Sequence, residues 1–341
     1  MEQTLRVCVY GATGYTGVEL LRTLQKHPYV KVVSITSKSY EGKLLEEVFP
    51  SFSTSYLGKL CLTQEPEENF DVAFLCLPHE TSLHLVPELL KAGKRVIDLS
   101  GAYRLKDANL YPKYYGFEHP YTDTLKEAVY GLPEIFRSDI KTARLVANPG
   151  CYPTATLLGL YPLLKEKLLE DDTIIVDAIS GVSGAGRKTS QQFHFPEMTE
   201  NAFAYSVLNH RHTPEMELVA GQTLGRDVKI RFTPKVVPMS RGMVCTIYAK
   251  ARVKDLHDLY LEVYREEPFV KVIQNPPMTK HVLGTNLCNI YVGYDERTDL
   301  HVIVSAIDNL GKGASLQAVQ NMNLMFGFPE VLTLDQPALF P

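Results

Sequence analysis

The chain has 341 residues, of which 45% are hydrophobic, and a formal net charge of -4 at pH 7. This length exceeds one typical domain and predicts two, each with enough residues for its own core. The small negative charge, without a basic run, favours small molecules or copies of the same chain as partners over nucleic acid. No stretch has the length of a membrane span and no signal peptide is predicted, so we expect a cytoplasmic protein without a membrane partner.

The cysteines are scattered along the chain, with no Cys-x-x-Cys pair and no spacing typical of metal ligands. This usage predicts reduced thiols in the cytosol and no metal centre. The six are Cys8, Cys61, Cys76, Cys151, Cys245 and Cys288.

The first predicted element is a strand over residues 5–10, which is followed by three glycines and a helical pattern. Gly11 permits a tight turn, Gly14 lets backbone N–H groups approach a pyrophosphate, and Gly17 lets the helix pack close to the strand. A second strand over residues 30–36 arrives at the distance that a βαβ unit requires. These features predict a dinucleotide-binding turn, with an ordinary glycine-rich loop as the alternative.

The end of the second predicted strand indicates which dinucleotide binds. An NAD-binding fold usually places Asp or Glu there, whereas this chain has Thr36, Ser37, Lys38 and Ser39. Hydroxyls and a lysine suit a 2′-phosphate, so we predict NADP. Lys38 is equally compatible with a solvated loop lysine.

Three further continuous apolar runs predict parallel strands covered on both faces, at residues 71–77, 95–99 and 144–147. Ligands of open α/β sheets bind beyond the carboxyl ends of such strands. The loops that follow carry Pro78, Arg104 and Cys151, so one sheet edge is expected to collect an arginine and a thiol.

The second half of the chain changes character and predicts a mixed α+β domain. Its strand-like runs lie at residues 173–178, 228–233, 243–252 and 301–307. A last predicted helix over residues 314–325 is expected to pack back on the first domain.

Cys151 lies in the run Asn-Pro-Gly-Cys-Tyr-Pro-Thr, just before an apolar helical pattern. We expect Gly150 to allow a sharp turn and Pro153 to suit the first helical turn. A cysteine at a helix N-terminus is stabilised as a thiolate, with a lowered pKa, and is therefore a candidate nucleophile. A buried structural cysteine is the alternative.

Two polar segments are candidates for substrate chemistry. A Gly/Ser loop over residues 180–188 ends in two basic residues and suits an anionic substrate or a phosphate. The segment 210–215, His-Arg-His-Thr-Pro-Glu, offers two imidazoles as general acid or base. If extended, it points both imidazoles to one side, and Thr213 is expected as N-cap with Pro214 at the first helical position. A surface loop that caps a helix is the alternative.

Two single residues complete the candidates. Arg241 precedes a β-rich run and suits a substrate carboxylate, although a lone arginine is more often a surface residue. Asn309 joins a predicted strand to the last helix and suits the nicotinamide carboxamide, while the nearby glycines are also compatible with a helix cap.

Five segments together resemble the N-acetyl-γ-glutamyl-phosphate reductase family of arginine biosynthesis: Gly-Ala-Thr-Gly-Tyr-Thr-Gly at 11–17, Asn-Pro-Gly-Cys-Tyr-Pro-Thr at 148–154, Ser-Gly-Val-Ser-Gly-Ala-Gly-Arg at 180–187, His-Arg-His-Thr-Pro-Glu at 210–215 and Asp-Asn-Leu-Gly-Lys-Gly-Ala at 308–314. The resemblance implies NADPH-dependent reductive dephosphorylation of an N-acetylglutamyl phosphate to the semialdehyde. It implies an α/β fold, with a Rossmann NADP-binding domain over residues 1–150, completed by residues 309–341. A mixed α+β catalytic and oligomerisation domain of the semialdehyde-dehydrogenase type then spans residues 151–308 and forms a homodimer or homotetramer.

The resemblance also implies site residues. Cys151 is the expected nucleophile that forms a thioester, and His210 the expected acid and base, with His212 left open for that role. Substrate contacts are expected from Arg104, Ser180, Arg187, Tyr205, His212, Glu215 and Arg241. Cofactor contacts are expected from Gly11, Ala12, Thr13, Gly14, Tyr15, Thr16, Gly17, Ser37, Lys38, Pro78, Ser183, Gly184 and Asn309.

Other functions remain open from the sequence. A reductase for the longer N-acetylaminoadipyl phosphate, or for a substrate on a carrier protein, would resemble this chain closely. Aspartate-semialdehyde dehydrogenase shares the glycine motif, but a different context around its cysteine is expected. A non-catalytic NADP-binding sensor with Cys151 as an oxidisable switch is the alternative outside the enzymes.

Overall fold

The computed structural model describes residues 4–66 and 69–340. Its helices are α1 Tyr15–Leu24, α2 Leu45–Val48, α3 His79–Lys91, α4 Tyr111–Tyr115, α5 Thr122–Glu127, α6 Pro133–Thr142, α7 Cys151–Lys165, α8 Phe195–Met198, α9 His212–Leu224, α10 His257–Val263 and α11 Leu316–Met325. Its strands are β1 Leu5–Tyr10, β2 Val30–Thr36, β3 Leu62–Thr63, β4 Val72–Leu75, β5 Arg95–Asp98, β6 Val129–Tyr130, β7 Leu145–Ala147, β8 Leu169–Ser180, β9 Phe203–Ala204, β10 Ile230–Val236, β11 Met243–Ala251, β12 Val270–Val272, β13 Cys288–Asp295 and β14 Leu300–Ile307.

Two compact units divide the described chain. The first comprises residues 4–112, 117–149 and 314–336, and the second comprises residues 113–116, 150–313 and 337–340. Residues 113–116, 150 and 337–340, and the turn of residues 309–313, therefore belong to the second unit, whereas the sequence predicted them in the first. The side chain of Asn309 accepts a hydrogen bond from Gly242 N–H and donates one to Ser183 Oγ, which ties this turn to the second unit.

The first unit is built on a seven-stranded sheet in the order β3-β2-β1-β4-β5-β7-β6, and all its strand pairs are parallel. The chain order reverses between β1 and β4, where Val7 lies opposite Val72. Turns after strands at such a reversal form the usual ligand crevice of an open α/β sheet. The predicted parallel strands are confirmed, within one to two residues at their ends.

Helix α11 lies in the first unit and is buried along its whole length. It contacts α1, α6 and β5, as expected for the last predicted helix. Its polar side chains find partners in the core: Gln317 Nε2 and Asn321 Nδ2 both donate to the carbonyl of Gly131. A π-helical turn, Gly311–Ser315, precedes it, so the α-helix begins two residues later than predicted.

The second unit contains a mixed seven-stranded sheet in the order β12-β13-β14-β11-β8-β10-β9. Helix α7 packs on β11 and β14 and also contacts α9. The sequence predicted an apolar helical pattern after Cys151, and in α7 almost every residue from Tyr152 to Leu164 is buried. Such all-round burial is typical of a central core helix. Gly159 fits there because a Cβ would lie 2.6 Å from Ile247 Cδ1.

The other face of this sheet is only partly buried. Tyr248 lies opposite Ile175 on one side and Val302 on the other, so the three side chains share that face. Partly buried or exposed apolar residues on it are Ile175, Ile179, Val244, Tyr248, Tyr291, Val302 and Val304. These side chains form what we call the open face of the second unit.

Candidate active site

Cys151 is the first residue of α7 and is partly exposed, unlike the buried Cys245 on the neighbouring β11. Gly150 is the N-cap, with φ -69° and ψ 154°, angles that any residue adopts. The predicted sharp turn therefore does not explain the glycine. Its lack of a side chain does, since a Cβ at position 150 would lie 2.5 Å from Nε2 of His212.

The start of α7 is held by contacts from distant parts of the second unit. Glu215, which is fully buried, accepts a hydrogen bond from Gly150 N–H at 2.8 Å. Gly313 packs against the cysteine, because a Cβ there would lie 2.8 Å from Cys151 Cβ. The predicted Asp-Asn-Leu-Gly-Lys-Gly-Ala and His-Arg-His-Thr-Pro-Glu segments therefore meet at the cysteine.

A cavity of about 370 Å³ opens beside Cys151. Its lining residues all belong to the second unit: Tyr114, Cys151, Tyr152, Ser180, Gly181, Gly184, Ala185, Gln192, Phe193, Tyr205, Ser206, Asn209, His210, Arg211, His212 and Val236. Of the predicted site residues, the cavity brings together the cysteine, both histidines, the tyrosine, Ser180 and Gly184.

The two histidines lie side by side, with ring centroids 4.8 Å apart. The expected common direction is correct, but the segment is not extended, because Arg211 is helical (φ -59°) and α9 begins at His212. The prediction of Thr213 as N-cap and Pro214 as first helical residue is therefore wrong by two positions. The N-terminus of α9 is instead served by His210, whose Nδ1 accepts a hydrogen bond from His212 N–H at 3.1 Å.

Aromatic rings enclose His210. The rings of Tyr152, Tyr205 and Phe232 have centroids 5.8, 5.4 and 5.2 Å from its own. Burial, together with the positive charge of Arg211, lowers the pKa of His210 to about 4. Burial also raises the pKa of Tyr205 to about 12. Both side chains are therefore neutral at physiological pH.

Arg211 was missed as a site residue by the sequence analysis. It is the only Lys, Arg, Asp or Glu side chain among the described residues that line the cavity. The signal for it was present, because it stands between two candidate histidines. Arg211 is exposed, whereas its neighbours His210 and His212 are buried. Its guanidinium is therefore accessible to an anionic ligand in the cavity.

The Gly/Ser loop is divided between a buried start and an exposed end. Ser180 is buried and lines the cavity, whereas Arg187 is exposed and is not among the lining residues that the structure describes. Ser183 accepts a hydrogen bond from Asn309 Nδ2. The loop start therefore belongs to the cavity wall, and the proposed anion contact from Arg187 stays a prediction.

Arg241 and Asn309 lie in a network around the buried carboxylate of Asp308. Arg241 forms a two-point ion pair with Asp308, with Nη2 to Oδ2 at 2.9 Å and Nε to Oδ1 at 3.2 Å. Gly284 N–H and Leu310 N–H also donate to this carboxylate. Because Asp308 engages its guanidinium, we interpret Arg241 as a residue that fixes the loop beside Gly181. The two backbones lie close together, since a Cβ added to Gly181 would lie 2.9 Å from the backbone N of Arg241.

In the first unit, the glycine turn has the features that a dinucleotide phosphate requires. Gly11 has φ +73°, and a Cβ there would lie 2.2 Å from the carbonyl of Cys76. A Cβ at Gly17 would lie 2.5 Å from Gly11 O, so this glycine lets α1 pack on the turn. Gly14 is the N-cap of α1 and has no such crowding, the nearest atom being 3.6 Å away. The helix N-terminus is thus open to a phosphate.

The turn is tied to the end of β2 by hydroxyl groups. Thr36 Oγ1 accepts a hydrogen bond from Gly11 N–H, and the hydroxyls of Thr13 and Ser37 lie 2.9 Å apart. Lys38 follows on the surface, and no carboxylate occurs from Thr36 to Tyr40. These donors and the exposed cation fit the 2′-phosphate of NADP.

The remaining predicted residues of the first unit are placed as follows. Ala12 is buried, Tyr15 and Pro78 are exposed, and Thr16 accepts a hydrogen bond from Ser315 Oγ at 2.8 Å through its carbonyl. Arg104 donates to the carbonyls of Leu99 and Asn148, both at 2.8 Å. Arg104 thus joins the carboxyl ends of β5 and β7.

Across residues 4–66 and 69–340, no group of three or more His, Cys, Asp or Glu side chains is arranged to hold a metal ion. In the same residues, no helix combines the length and apolar character needed to cross a bilayer.

Comparison with protein families assigns both parts of the chain. Residues 6–143 match the NAD binding domain of semialdehyde dehydrogenases, and residues 151–309 match their dimerisation domain. N-acetyl-gamma-glutamyl-phosphate reductase of Aquifex aeolicus is 60% identical over 341 residues, which is the full length of both chains. The Geobacter sulfurreducens protein of that name is 49% identical, over 99% of this chain and 100% of its own.

Solved structures support the fold. Aspartate semialdehyde dehydrogenase II from Vibrio cholerae, complexed with ASA, aligns with a TM-score of 0.74 at 18% identity, covering 95% of this chain and 99% of its own. The Candida albicans aspartate semialdehyde dehydrogenase with NADP has a TM-score of 0.71 at 15% identity, with the same coverage. The glycine turn, the cysteine at the start of a buried helix and the full-length identity agree: the chain belongs to the N-acetyl-γ-glutamyl-phosphate reductase family of the semialdehyde dehydrogenases.

Proposed function

We propose that the protein reduces N-acetyl-γ-glutamyl phosphate to N-acetylglutamate 5-semialdehyde with NADPH and releases inorganic phosphate, a reaction of arginine biosynthesis. The observation that carries this proposal is the half-exposed Cys151 at the N-terminus of a buried helix, in a cavity shared with His210 and Arg211. The full-length relatives that are named for this reaction support the choice of substrate.

Cys151 is the proposed nucleophile. Its sulfur attacks the carbonyl carbon of the acyl phosphate, and the carbonyl electrons move onto oxygen. The carbon–oxygen bond to phosphate then breaks, inorganic phosphate leaves with its bonding electrons and takes up a proton, and a thioester to Cys151 remains. After reduction of the thioester carbon, the carbon–sulfur bond breaks and returns the electrons to sulfur, so the thiolate is regenerated with the aldehyde.

NADP is the cofactor, and in its reduced form it supplies a hydride when bound. The residues proposed to hold it are those of the glycine turn and of the end of β2. Backbone N–H groups near Gly14 would meet the pyrophosphate, while Ser37 and Lys38 would meet the 2′-phosphate. The other proposed cofactor contacts are Gly11, Ala12, Thr13, Tyr15, Thr16, Gly17, Pro78, Ser183, Gly184 and Asn309.

His210 and Arg211 are the proposed partners of the substrate oxygens. His210 faces the same cavity as Cys151 and is assigned to the carbonyl oxygen, which gains negative charge as the sulfur attacks. Arg211 is assigned to a carboxylate of the substrate, because a guanidinium binds carboxylates through paired hydrogen bonds. Ser180, Tyr205 and His212 line the same cavity and are proposed to shape it around the substrate.

Four other predicted substrate residues fall into two groups. Glu215 and Arg241 are proposed as positioning residues, since the first binds Gly150 N–H and the second pairs with Asp308. Arg104 and Arg187 remain candidates for an anionic group of the substrate.

An assay in the reverse direction tests the proposed function. Purified protein is mixed with N-acetylglutamate 5-semialdehyde, NADP and phosphate, and NADPH is followed by its absorbance. We expect phosphate-dependent NADPH formation that is lost in Cys151→Ser and retained in Cys61→Ser, which changes an exposed cysteine of the first unit. Turnover of the one-carbon-longer homologue alone would indicate the aminoadipyl substrate. NADP binding without turnover of either aldehyde would indicate a sensor.

We also propose a homodimer in the cytoplasm. The open face lies within the part of the chain that matches a dimerisation domain, and its apolar, partly exposed side chains suit burial against a second copy. A tetramer would require a further surface. The cysteines are scattered along the chain without a Cys-x-x-Cys pair, a usage that is typical of a reducing compartment. Sedimentation of Ile175→Lys should show monomers, whereas Leu261→Lys, at an equally exposed position on α10, should sediment like the wild type.

A further inference from the structure

We infer that His210 acts as a neutral hydrogen-bond donor through Nε2–H to the oxygen of the tetrahedral intermediate, and that it neither gives up nor takes up a proton in the reaction. This inference rests on the proposed function, and it replaces the acid and base role predicted from sequence with hydrogen-bond donation. It stands on the hydrogen bond at Nδ1 and on the enclosure of the ring.

The hydrogen bond at Nδ1 fixes the tautomer. A backbone N–H only donates, so Nδ1 of His210 must be the acceptor in its 3.1 Å bond with His212 N–H. A neutral imidazole carries one proton, which must then lie on Nε2. A ring that acts as a base through Nε2 would need its proton on Nδ1, where it would face the N–H of His212.

The surroundings disfavour the charged ring as well. Protonated His210 would place a second N–H against that of His212, beside the cation of Arg211. The other ionisable groups around the ring are Tyr152, Tyr205 and His212, and Cys151 lines the same cavity. The two tyrosines and His212, whose rings lie next to that of His210, carry no fixed negative charge that would stabilise an imidazolium, and only 6% of the surface of His210 is exposed to water.

Nε2 is the ring nitrogen left for a ligand. It makes no hydrogen bond to any residue within the described part of the chain, and His210 lines the cavity that Cys151 opens into. A preorganised donor that meets an oxygen as it becomes negative is the usual device for stabilising a tetrahedral intermediate.

The protons of the acyl transfer balance without any transfer to or from His210. The thiol of Cys151 loses one proton as it becomes the nucleophile, and phosphate gains one when its bond to carbon breaks, either directly or through water. After reduction, the carbon–sulfur bond breaks and its electrons return to the sulfur of Cys151. This step again requires no proton from the chain. A neutral donor is therefore sufficient for every step.

The first test reads the tautomer directly. Full-length protein labelled with ¹⁵N-histidine is studied by NMR from pH 8 to pH 5, and the His210 signals among the ten histidines are assigned from their loss in His210→Gln. We expect a proton on Nε2, a bare Nδ1 and no titration over this range. A proton on Nδ1, or a titration near pH 6.5, would overturn the inference.

The second test separates donation from proton transfer. Phosphate release from the acyl phosphate in a single turnover, without cofactor, is measured for His210→Gln, His210→Asn and His210→Ala. Glutamine can place an N–H near the position of Nε2, so we expect the rate of phosphate release to fall less than about tenfold in His210→Gln. In His210→Asn and His210→Ala we expect this rate to fall by about 100-fold to 1,000-fold. The pH profile of His210→Gln should keep the shape of the wild type. Equal losses in glutamine and alanine, or a pH limb that disappears with the histidine, would overturn the inference.

His194→Gln, at an exposed position, serves as the control for histidine replacement, and thermal unfolding checks that each variant folds. Failure of the proposed function would be recognised separately. In that case the wild type would release no phosphate, while the NMR measurement would still report the tautomer.

Discussion

The imidazole of His212 occupies the space that a side chain at position 150 would need, since a Cβ on Gly150 would lie 2.5 Å from its Nε2. This contact joins the start of α9 to the start of α7, where Cys151 lies. Cys151 is thus positioned by His212, which lies 61 residues further along the chain. The position of the thiol depends on the contact between Gly150 and His212.

Gly150→Ala is therefore expected to destabilise the protein by about 1–3 kcal/mol, as overpacking does, and to lower activity through displacement of Cys151. Chemical denaturation and steady-state kinetics measure the two effects. Combining it with His212→Ala should restore part of the lost stability, because the clash is then relieved. Gly14→Ala is the control for stability, since its φ of -73° and open surroundings accept a methyl group. Additive losses in the double variant would contradict the account.

Arg211→Met is expected to raise the KM for the acyl phosphate by about 10-fold to 100-fold, the usual effect of losing a charge-assisted hydrogen bond. Initial rates at varied substrate measure this. The matched variant is Arg187→Met, which removes a cation from the exposed end of the Gly/Ser loop. If Arg187→Met gave the larger rise in KM, the substrate's anionic group would belong to Arg187.

Lys38→Glu is expected to raise the KM for NADPH by about 10-fold or more and to affect NADH much less, because only NADPH carries the 2′-phosphate. Both KM values are measured under saturating acyl phosphate. Lys31→Glu, an exposed change on β2, the strand that precedes Lys38, leaves both values unchanged in this account. Equal rises for the two cofactors would show that Lys38 does not contact the 2′-phosphate.

The pH dependence of stability follows from buried histidines. Burial lowers the pKa of His210 to about 4 from 6.5, so between these values the unfolded chain binds a proton that the folded chain does not. The unfolding free energy should therefore fall as pH is lowered through this window, by up to about 1.4 kcal/mol per pH unit from this residue. Burial lowers the pKa of His27 and His119 too, which adds in the same direction.

Denaturant unfolding at pH 7 and pH 5 measures this difference, and His210→Gln should reduce it. An undiminished difference in the variant would contradict the assigned burial effect. The exposed His194→Gln should leave the difference unchanged.

The fold was largely predictable because its signals are local. Parallel strands covered on both faces read as continuous apolar runs, and the glycine turn of residues 11–17 has a spacing that the phosphate-binding geometry explains. The start of α7 at Cys151 was predicted for the same reason. The start of α9 was misplaced, because a ring nitrogen of His210 serves the role expected of the Thr213 hydroxyl.

The site was predictable only in part, because its geometry depends on contacts far apart in the chain. Nothing near Arg241 in sequence indicates that Asp308 engages its guanidinium, and nothing near Glu215 indicates its bond to Gly150 N–H. Both had been expected to contact substrate. Arg211 was overlooked because the interpretation of its segment rested on the histidines.

The central claim is that Cys151 forms a thioester with the substrate. The most direct measurement mixes the protein with N-acetyl-γ-glutamyl phosphate in the absence of NADPH, quenches the reaction in acid, and identifies the modified peptide by mass spectrometry. We predict one N-acetylglutamyl group per chain, on the peptide that contains Cys151, released by hydroxylamine and absent in Cys151→Ser. Stoichiometric phosphate release without acylation of that peptide, or acylation that persists in Cys151→Ser, would contradict the account.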